Sequence, residues 1–373
     1  MTARVPAEVF APGEFLAEEL EARGWSQVEL AEILDRPPRL VSEIIAGKRA
    51  ITPETAIGLS AAFGSSPQFW MNLETSYQLS KAQIAELSVS QRARLYGTFP
   101  VKDLVKRGWI ETSENIEVLE RRFLDYFQMK SMDDEPTFAC AAKKTKYTGQ
   151  QGFLQLAWLN RARLVAKAAP ASKYSATALK AAIPELRRCM EYKEEIQRVS
   201  TILAGVGVKL VVVEHLARSK MDGCCFWMDG SPVIALSLRY DRIDNFWFVL
   251  FHEIDHVLHG EGKEVPIYET IDVNEEGLPA IEVRANTNAS DYCIPKADLD
   301  GFIARVSPMF SKQAIIGFAR RMNVHPGIVV GQLHGRGIIH FSTNREMLEK
   351  IKDVVTSSIL TDGFGNSLPL GAR

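Results

Sequence analysis

The sequence predicts a mostly α-helical protein with one small β-sheet, an α+β chain, and three observations predict it. Five capped helical stretches fill the first eighty residues. Three runs rich in β-branched and aromatic residues follow between 207 and 238. After them, Phe251 to Gly260 sets His252 and His256 one helical turn apart. At 373 residues the chain has room for two or three domains. The expected division is a five-helix domain at 1–80, a helical connector at 81–200, a strand-and-helix domain at 201–340, and a terminal helix with a flexible tail at 341–373.

Composition narrows the function classes. Hydrophobic residues make up 46% and charged residues 24%, ordinary for a globular protein. No run approaches the ~18 apolar residues of a membrane span and the N-terminus lacks a signal-peptide layout, so a cytoplasmic protein without a membrane partner is expected. The cysteines (Cys140, Cys189, Cys224, Cys225, Cys293) are odd in number and lack CxxC spacing. They read as reduced thiols, not as disulfides or a thiolate metal site. A net charge of −2 gives no general affinity for nucleic acid, so any such binding must come from a local patch.

Gly13 to Arg23 carries Phe15, Leu16 and Leu20 at helical spacing, and Gly24 stops it. Ser26-Gln27-Val28-Glu29 is a capping box that opens a short helix through Leu34. Asp35 to Pro38 makes the turn, and Arg39 to Ala46 a third helix ended by Gly47. Thr52-Pro53 and Ser66-Pro67 each pair an N-cap with proline at the first helical position, which opens two more. Five short helices with a tight turn between the second and third describe a helix-turn-helix domain. The run from Ser26 through Leu30-Ala31 and Val41-Ser42-Glu43-Ile44 to Gly47-Lys48-Arg49-Ala50-Ile51-Thr52 resembles the HigA-type antitoxins, and its flanks agree over residues 11–80. The resemblance implies that Gln27 touches a phosphate, that Arg39 and Ser42 face the major groove, and that Lys48 and Arg49 meet the backbone. Residues 1–80 hold six basic side chains against eleven acidic ones, which disfavours non-specific DNA binding. Four of the six basic residues nevertheless fall between 36 and 49. One recognition helix reads a half-site, so a homodimer on a near-palindromic duplex operator is expected.

Residues 81–200 carry little chemistry. Ser90 to Leu95, Val101 to Gly108, Asn115 to Gln128 and Gln151 to Ala168 have helical apolar spacing. Lys143 to Tyr147 is a short basic loop. Their deducible role is that of a spacer.

Gly207 to Glu214 reads as a buried strand, and Gly223 to Trp227 and Pro232 to Leu238 as a hairpin turned at Asp229-Gly230. The sheet delivers the chain to a helix from about Asp244 that carries His252-Glu253-Ile254-Asp255-His256. Histidines at i and i+4 can share one metal ion, with Glu253 beside them as a general base. A catalytic zinc site wants a third protein ligand. His259 lies seven residues from His252, about 10 Å along the axis at ~1.5 Å per residue, too far for one ion to be held by 252, 256 and 259 together. Glu282 is the better candidate, on a second helix from Pro279 to Tyr292, with Asn286 one turn on to orient a ligand. Glu275 and Glu276 are alternatives on a loop.

Residues 200–340 resemble the ImmA/IrrE family of metallopeptidases, in which HExxH is followed by a helix of the form E-x-x-A-N-x-x-A ending in proline. Glu282, Ala285, Asn286, Ala289 and Pro295 match that form, and the resemblance implies a zincin-like fold, Zn²⁺ as cofactor, and Glu282 as third ligand. Asp255 stands where many members have glycine, and Asn288 where an aromatic is usual; Asn288 is expected on the packing side of its helix. Tyr268, Tyr292, His325 and His334 are open choices for an oxyanion donor. The leading expectation is a DNA-binding, antitoxin-like regulator whose zinc endopeptidase domain cleaves a regulatory protein. The rival is a non-catalytic repressor or antitoxin whose zinc domain is a sensor or a platform for a cognate toxin. His325 is expected in an exposed turn, and Thr356 to Arg373 to be frayed.

Overall fold

A computed structural model of the chain describes residues 10–134, 149–263, 266–269 and 278–365. The chain separates into two compact units, Met1–Arg94 and Leu95–Arg373.

The first unit contains α1 (Pro12–Arg23), α2 (Gln27–Ile33), α3 (Pro38–Ile45), α4 (Pro53–Phe63) and most of α5 (Pro67–Thr98). The capping box forms as the sequence predicts. The Ser26 hydroxyl accepts the Glu29 N–H at 3.2 Å, and the Glu29 carboxylate accepts the Ser26 N–H at 2.7 Å. Thr52 caps α4 in the same way at the Thr55 N–H. The core is built from Leu16, Leu20, Leu30, Val41, Leu59 and Trp70. Instead of a short fifth helix and a separate one over 90–95, a single 32-residue helix runs from Pro67 to Thr98. No glycine or proline interrupts it before Gly97, so nothing in the sequence forces a break.

The second unit is organised on a five-stranded sheet of β1 (Lys209–Val213), β2 (Gly223–Met228), β3 (Ser231–Leu236), β4 (Ile267–Glu269) and β5 (Leu360–Asp362), in the order β4-β2-β3-β1-β5. The β2–β3 hairpin closes at Met228↔Ser231, with Asp229 at φ 50 and Gly230 at φ 79, the positive-φ pair of a type I′ turn. β1 runs parallel to both β3 and β5. Side chains alternate between two cores. Val211, Val213, Phe226 and Val233 enter one; Leu210, Val212, Ile234 and Leu236 enter the other. A sheet covered on both faces explains why β1 reads as an unbroken apolar run.

The first of these cores also takes side chains from α6 (Val101–Lys106), α7 (Ile116–Phe127) and α8 (Gly149–Ala168). These helices lie in the stretch read from sequence as a connector, and they supply one cover of the sheet. The second core is built with α9 (Ala176–Arg188), α10 (Val199–Gly205), α11 (Ile243–Leu258) and α12 (Ala280–Cys293). It is completed by α13 (Lys296–Val306), α14 (Lys312–Met322), α15 (Pro326–Gly335) and α16 (Lys352–Ser358).

The expectation of a frayed end from Thr356 is corrected as far as Gly365. Helix α16 runs to Ser358, and β5 then pairs with β1. Asp362, 1% exposed, accepts from Trp109 Nε1 at 2.9 Å and from Arg161 Nε at 2.8 Å, which fixes β5 to α8 and to the loop after α6. His325 is also corrected. It is half-buried, not exposed, and its Nδ1 caps α15 by accepting the Gly327 N–H at 3.1 Å. The basic loop Lys143 to Tyr147, Cys140, Glu275 and Glu276 lie outside the described residues. The four described cysteines are free and buried. Among the described residues no helix is long and apolar enough to cross a membrane.

Candidate metal centre

Helix α11 is hydrophobic almost all round because it is buried almost all round: every residue from Val249 to Val257 is buried. A polar residue in such a helix must find a partner, and here the partners lie mostly on α12. The His252 ring donates from Nδ1 to Asn286 Oδ1 at 2.9 Å. The His256 ring donates from Nδ1 to Glu261 Oε2 at 2.7 Å. Both Nε2 atoms are thereby left as lone-pair donors, and they face each other at 2.9 Å. Glu282 Oε2 sits 3.1 Å from the first and 3.5 Å from the second.

Three acceptor atoms thus converge, and only a cation or a shared proton relieves their repulsion. Tetrahedral ligands at ~2.0–2.1 Å from one ion lie about 3.3 Å apart, close to the spacings seen. Among the described residues, His252, His256 and Glu282 form the group whose donor atoms could hold a metal, all within 4.8 Å of one another. The donor set of two imidazoles and one carboxylate fits a zinc ion. His259 stands apart from it, 44% exposed at its side chain and turned to the Asp255 carbonyl at 2.8 Å.

The electrostatics follow from the same contacts. Burial works against a charged Glu282, but protons shared with it by His252 and His256 override that and hold the carboxyl down at about 2. Burial likewise works against a charged His256, but the Glu282 and Glu261 carboxylates raise its pKa above the ordinary histidine value. Glu261 is lowered: burial opposes its charge, while Arg284 and then His256 favour it.

Glu253 is fully buried beside the pair and faces β2. A Cβ built on Gly223 would come within 2.7 Å of Glu253 Oε1 and 2.6 Å of Val249 Cγ1. The strand can approach the helix this closely only because residue 223 has no side chain. The outer edge of β2 is itself paired with β4, in the register Gly223↔Glu269 and Cys225↔Ile267.

Asp255 and Asn288, the two departures from the expected family pattern, are explained together. Asn288 Nδ2 donates to Asp255 Oδ1 at 2.8 Å, and Arg284 Nε donates to Asp255 Oδ2 at 2.8 Å. Asn288 does lie toward α11, and it packs there by a hydrogen bond that an aromatic ring could not make. Sequence reading missed Glu261, Arg284 and Gly223. The first two carried a signal, a carboxylate just past the metal helix and an Arg284/Asn288 pair at i, i+4. Among the oxyanion choices, His325 is committed to its cap, and His334 Nε2 meets the Thr343 carbonyl at 2.9 Å. The Tyr292 ring lies tilted against Phe251, with centroids 5.5 Å apart. Tyr268 has its backbone in β4.

In the first unit, Gln27, Arg39, Ser42, Lys48 and Arg49 are all exposed. Gln27 opens α2, while Arg39 and Ser42 occupy the first turns of α3. The Ser42 hydroxyl donates to the Arg39 carbonyl at 3.0 Å. Glu43 accepts from Arg39 Nε at 2.7 Å and from Arg49 Nη1 at 3.3 Å, so one carboxylate partly neutralises two of the basic residues.

Comparison with known proteins separates the same two parts. Residues 16–70 match the Helix-turn-helix family, and residues 207–333 match the IrrE N-terminal-like domain. Over 84 residues the chain is 39% identical to an uncharacterised HTH-type transcriptional regulator, YddM, of Escherichia coli (strain K12); this spans 22% of the chain and 88% of that protein. A HigA-family addiction-module antidote protein from Coxiella burnetii is similar at 41% identity, over 20% of this chain and 83% of its own, with a TM-score of 0.20. The Pseudomonas aeruginosa antitoxin HigA, solved with the higBA promoter, is similar at 37% identity, over 21% of this chain and 86% of its own, with a TM-score of 0.21. By the first family match and the Escherichia coli relative the chain belongs to the helix-turn-helix transcriptional regulators through its first unit, and its residues 207–333 match the IrrE N-terminal-like domain.

Proposed function

We propose that this chain is a DNA-binding, antitoxin-like regulator whose second unit is a zinc-dependent endopeptidase that cleaves a regulatory protein. The observation that carries the reading is the convergence of His252 Nε2, His256 Nε2 and Glu282 Oε2 beside Glu253. In this reading residues 1–80 read an operator as a homodimer, residues 201–340 form the peptidase, and the protein works in the cytoplasm. Gln27, Lys48 and Arg49 serve the DNA backbone, and Arg39 and Ser42 the base edges.

A zinc ion at the three donors would polarise a peptide carbonyl and acidify water. The chain's own part is then geometric and protonic. Asn286 and Glu261 hold the two imidazoles in the tautomer that presents Nε2. Glu253 accepts a proton from the attacking water at its carboxylate and delivers it to the leaving amine. Its burial keeps that proton from bulk solvent.

A second reading is supported by one observation. His252, Glu253 and His256 have no exposure at all, which suits a closed zinc site serving as a sensor or as a docking platform for a cognate toxin. Glu253→Gln separates the two. New protein N-termini mapped in cells expressing the wild-type chain should disappear with the variant, while zinc and operator binding persist. An identical set of termini with both proteins contradicts the peptidase reading and favours the sensor.

A further inference from the structure

The metal helix meets α12 along two adjacent stripes, and only one of them carries the metal donors. Glu282 and Asn286, four residues apart, face His252 and His256. Arg284 and Asn288, also four apart, face Asp255. On this second stripe one guanidinium forks between two carboxylates. Arg284 Nε donates to Asp255 Oδ2 at 2.8 Å, and Arg284 Nη2 donates to Glu261 Oε2 at 2.6 Å. That same Glu261 oxygen accepts the His256 Nδ1 proton at 2.7 Å. Asp255 is fully buried, and its other oxygen is taken by Asn288, so the fork is anchored inside the protein.

We infer that Arg284, gripped by Asp255, is a positioning residue for the metal centre: through Glu261 it fixes the orientation and the donor strength of His256. The inference rests on the metal reading proposed above. Glu261 follows the end of α11 by a few residues, in a turn where its carboxylate would otherwise be free to rotate. Arg284 removes that freedom with a charge-assisted hydrogen bond of 2.6 Å to the carboxylate. An imidazole that donates to a carboxylate is a stronger ligand than one that donates to an amide. His256 is backed by Glu261 and His252 by the neutral Asn286, so the two imidazoles are unequal, and the inequality depends on α12. Because Arg284 lies two residues from Glu282, the same helix sets the third donor and the basicity of the second. A slip of α12 along α11 would disturb both at once.

The test uses the full chain in zinc titrations against a competing chelator and in cobalt(II) substitution followed by absorption. Arg284→Ala alone would leave Asp255 buried with less compensation, so the informative variant is Asp255→Ala/Arg284→Ala, which removes the ion pair whole. Glu261→Gln is a second variant that keeps an oxygen for His256 and loses the charge. Both are expected to bind zinc 10- to 100-fold more weakly with shifted cobalt bands, and Glu261→Gln to keep the melting temperature of the metal-free protein close to wild type. Arg284→Lys is expected to recover only part of the affinity, since it cannot fork. A double variant and Glu261→Gln that both match wild type in zinc affinity and cobalt spectrum overturn the inference alone. Wild-type protein that takes up neither ion overturns the metal reading and the inference with it.

Discussion

Gly223 shows how much of the centre is decided by single residues. Its missing side chain is what lets β2 lie against Glu253 and Val249. Gly223→Ala should therefore destabilise the second unit by about 1–3 kcal/mol, the usual range for overpacking a full core. It should also displace the Glu253 carboxylate, so any cleavage should fall by more than the loss of folded protein accounts for. Thermal melts and cleavage rates on the same samples check both parts. At this scale the sequence reads well where spacing alone fixes geometry. His252 and His256 share a helix face by arithmetic, and Glu282 and Asn286 share one on the next helix. It reads poorly where the partner lies outside any regular element. Glu261 comes after α11 has ended, so no periodicity points to it. Asp255 and Asn288 each look like a local defect, and only their 2.8 Å contact shows them to be one feature.

Elements became legible in proportion to how much of their stability is local. Capped or amphipathic stretches such as α2 and α7 announce themselves. Helix α9 does not, because Pro184 lies inside it, where proline removes a hydrogen bond and crowds the preceding turn; burial of Leu179, Ile183 and Leu186 outweighs that cost. Strand β5 has three residues in a Ser/Gly-rich end, and what orders it is tertiary: pairing with β1 and the buried Asp362 contacts with Trp109 and Arg161. The cap on α15 carries a prediction in pH. His325 must be neutral at Nδ1 to accept the Gly327 N–H, and burial lowers its pKa below the ordinary 6.5, with Glu349 opposing. The folded state therefore disfavours the imidazolium. The stability from this cap is fully present above about 6.5 and is lost as the pH falls below it. His325→Asn keeps a capping oxygen without the titration. Between about pH 8 and pH 5 the wild type should lose on the order of 1 kcal/mol more stability than this variant, measured by parallel denaturation curves.

For the molecule as a whole, two chemistries share one chain, and each has its own electrostatic condition. Residues 1–80 are acidic overall, and four of their six basic residues fall between 36 and 49, with Glu43 holding Arg39 and Arg49. Glu43→Gln should free Arg49 toward phosphates and Arg39 toward base edges. Affinity for a random duplex should rise and the salt dependence steepen by about one phosphate contact, read by fluorescence anisotropy over a salt series. An unchanged salt slope would show that Arg49 does not meet the backbone. The metal reading of the second unit rests on the three converging donors, whose mutual repulsion a cation or a shared proton would relieve. The most direct test is the metal content of protein purified without chelators, by elemental analysis, with His252→Ala as the control. The expected result is one zinc ion per chain in the wild type and a large loss in the variant. Metal far below stoichiometric in the wild type, or equal in both proteins, would contradict a zinc centre at His252, His256 and Glu282.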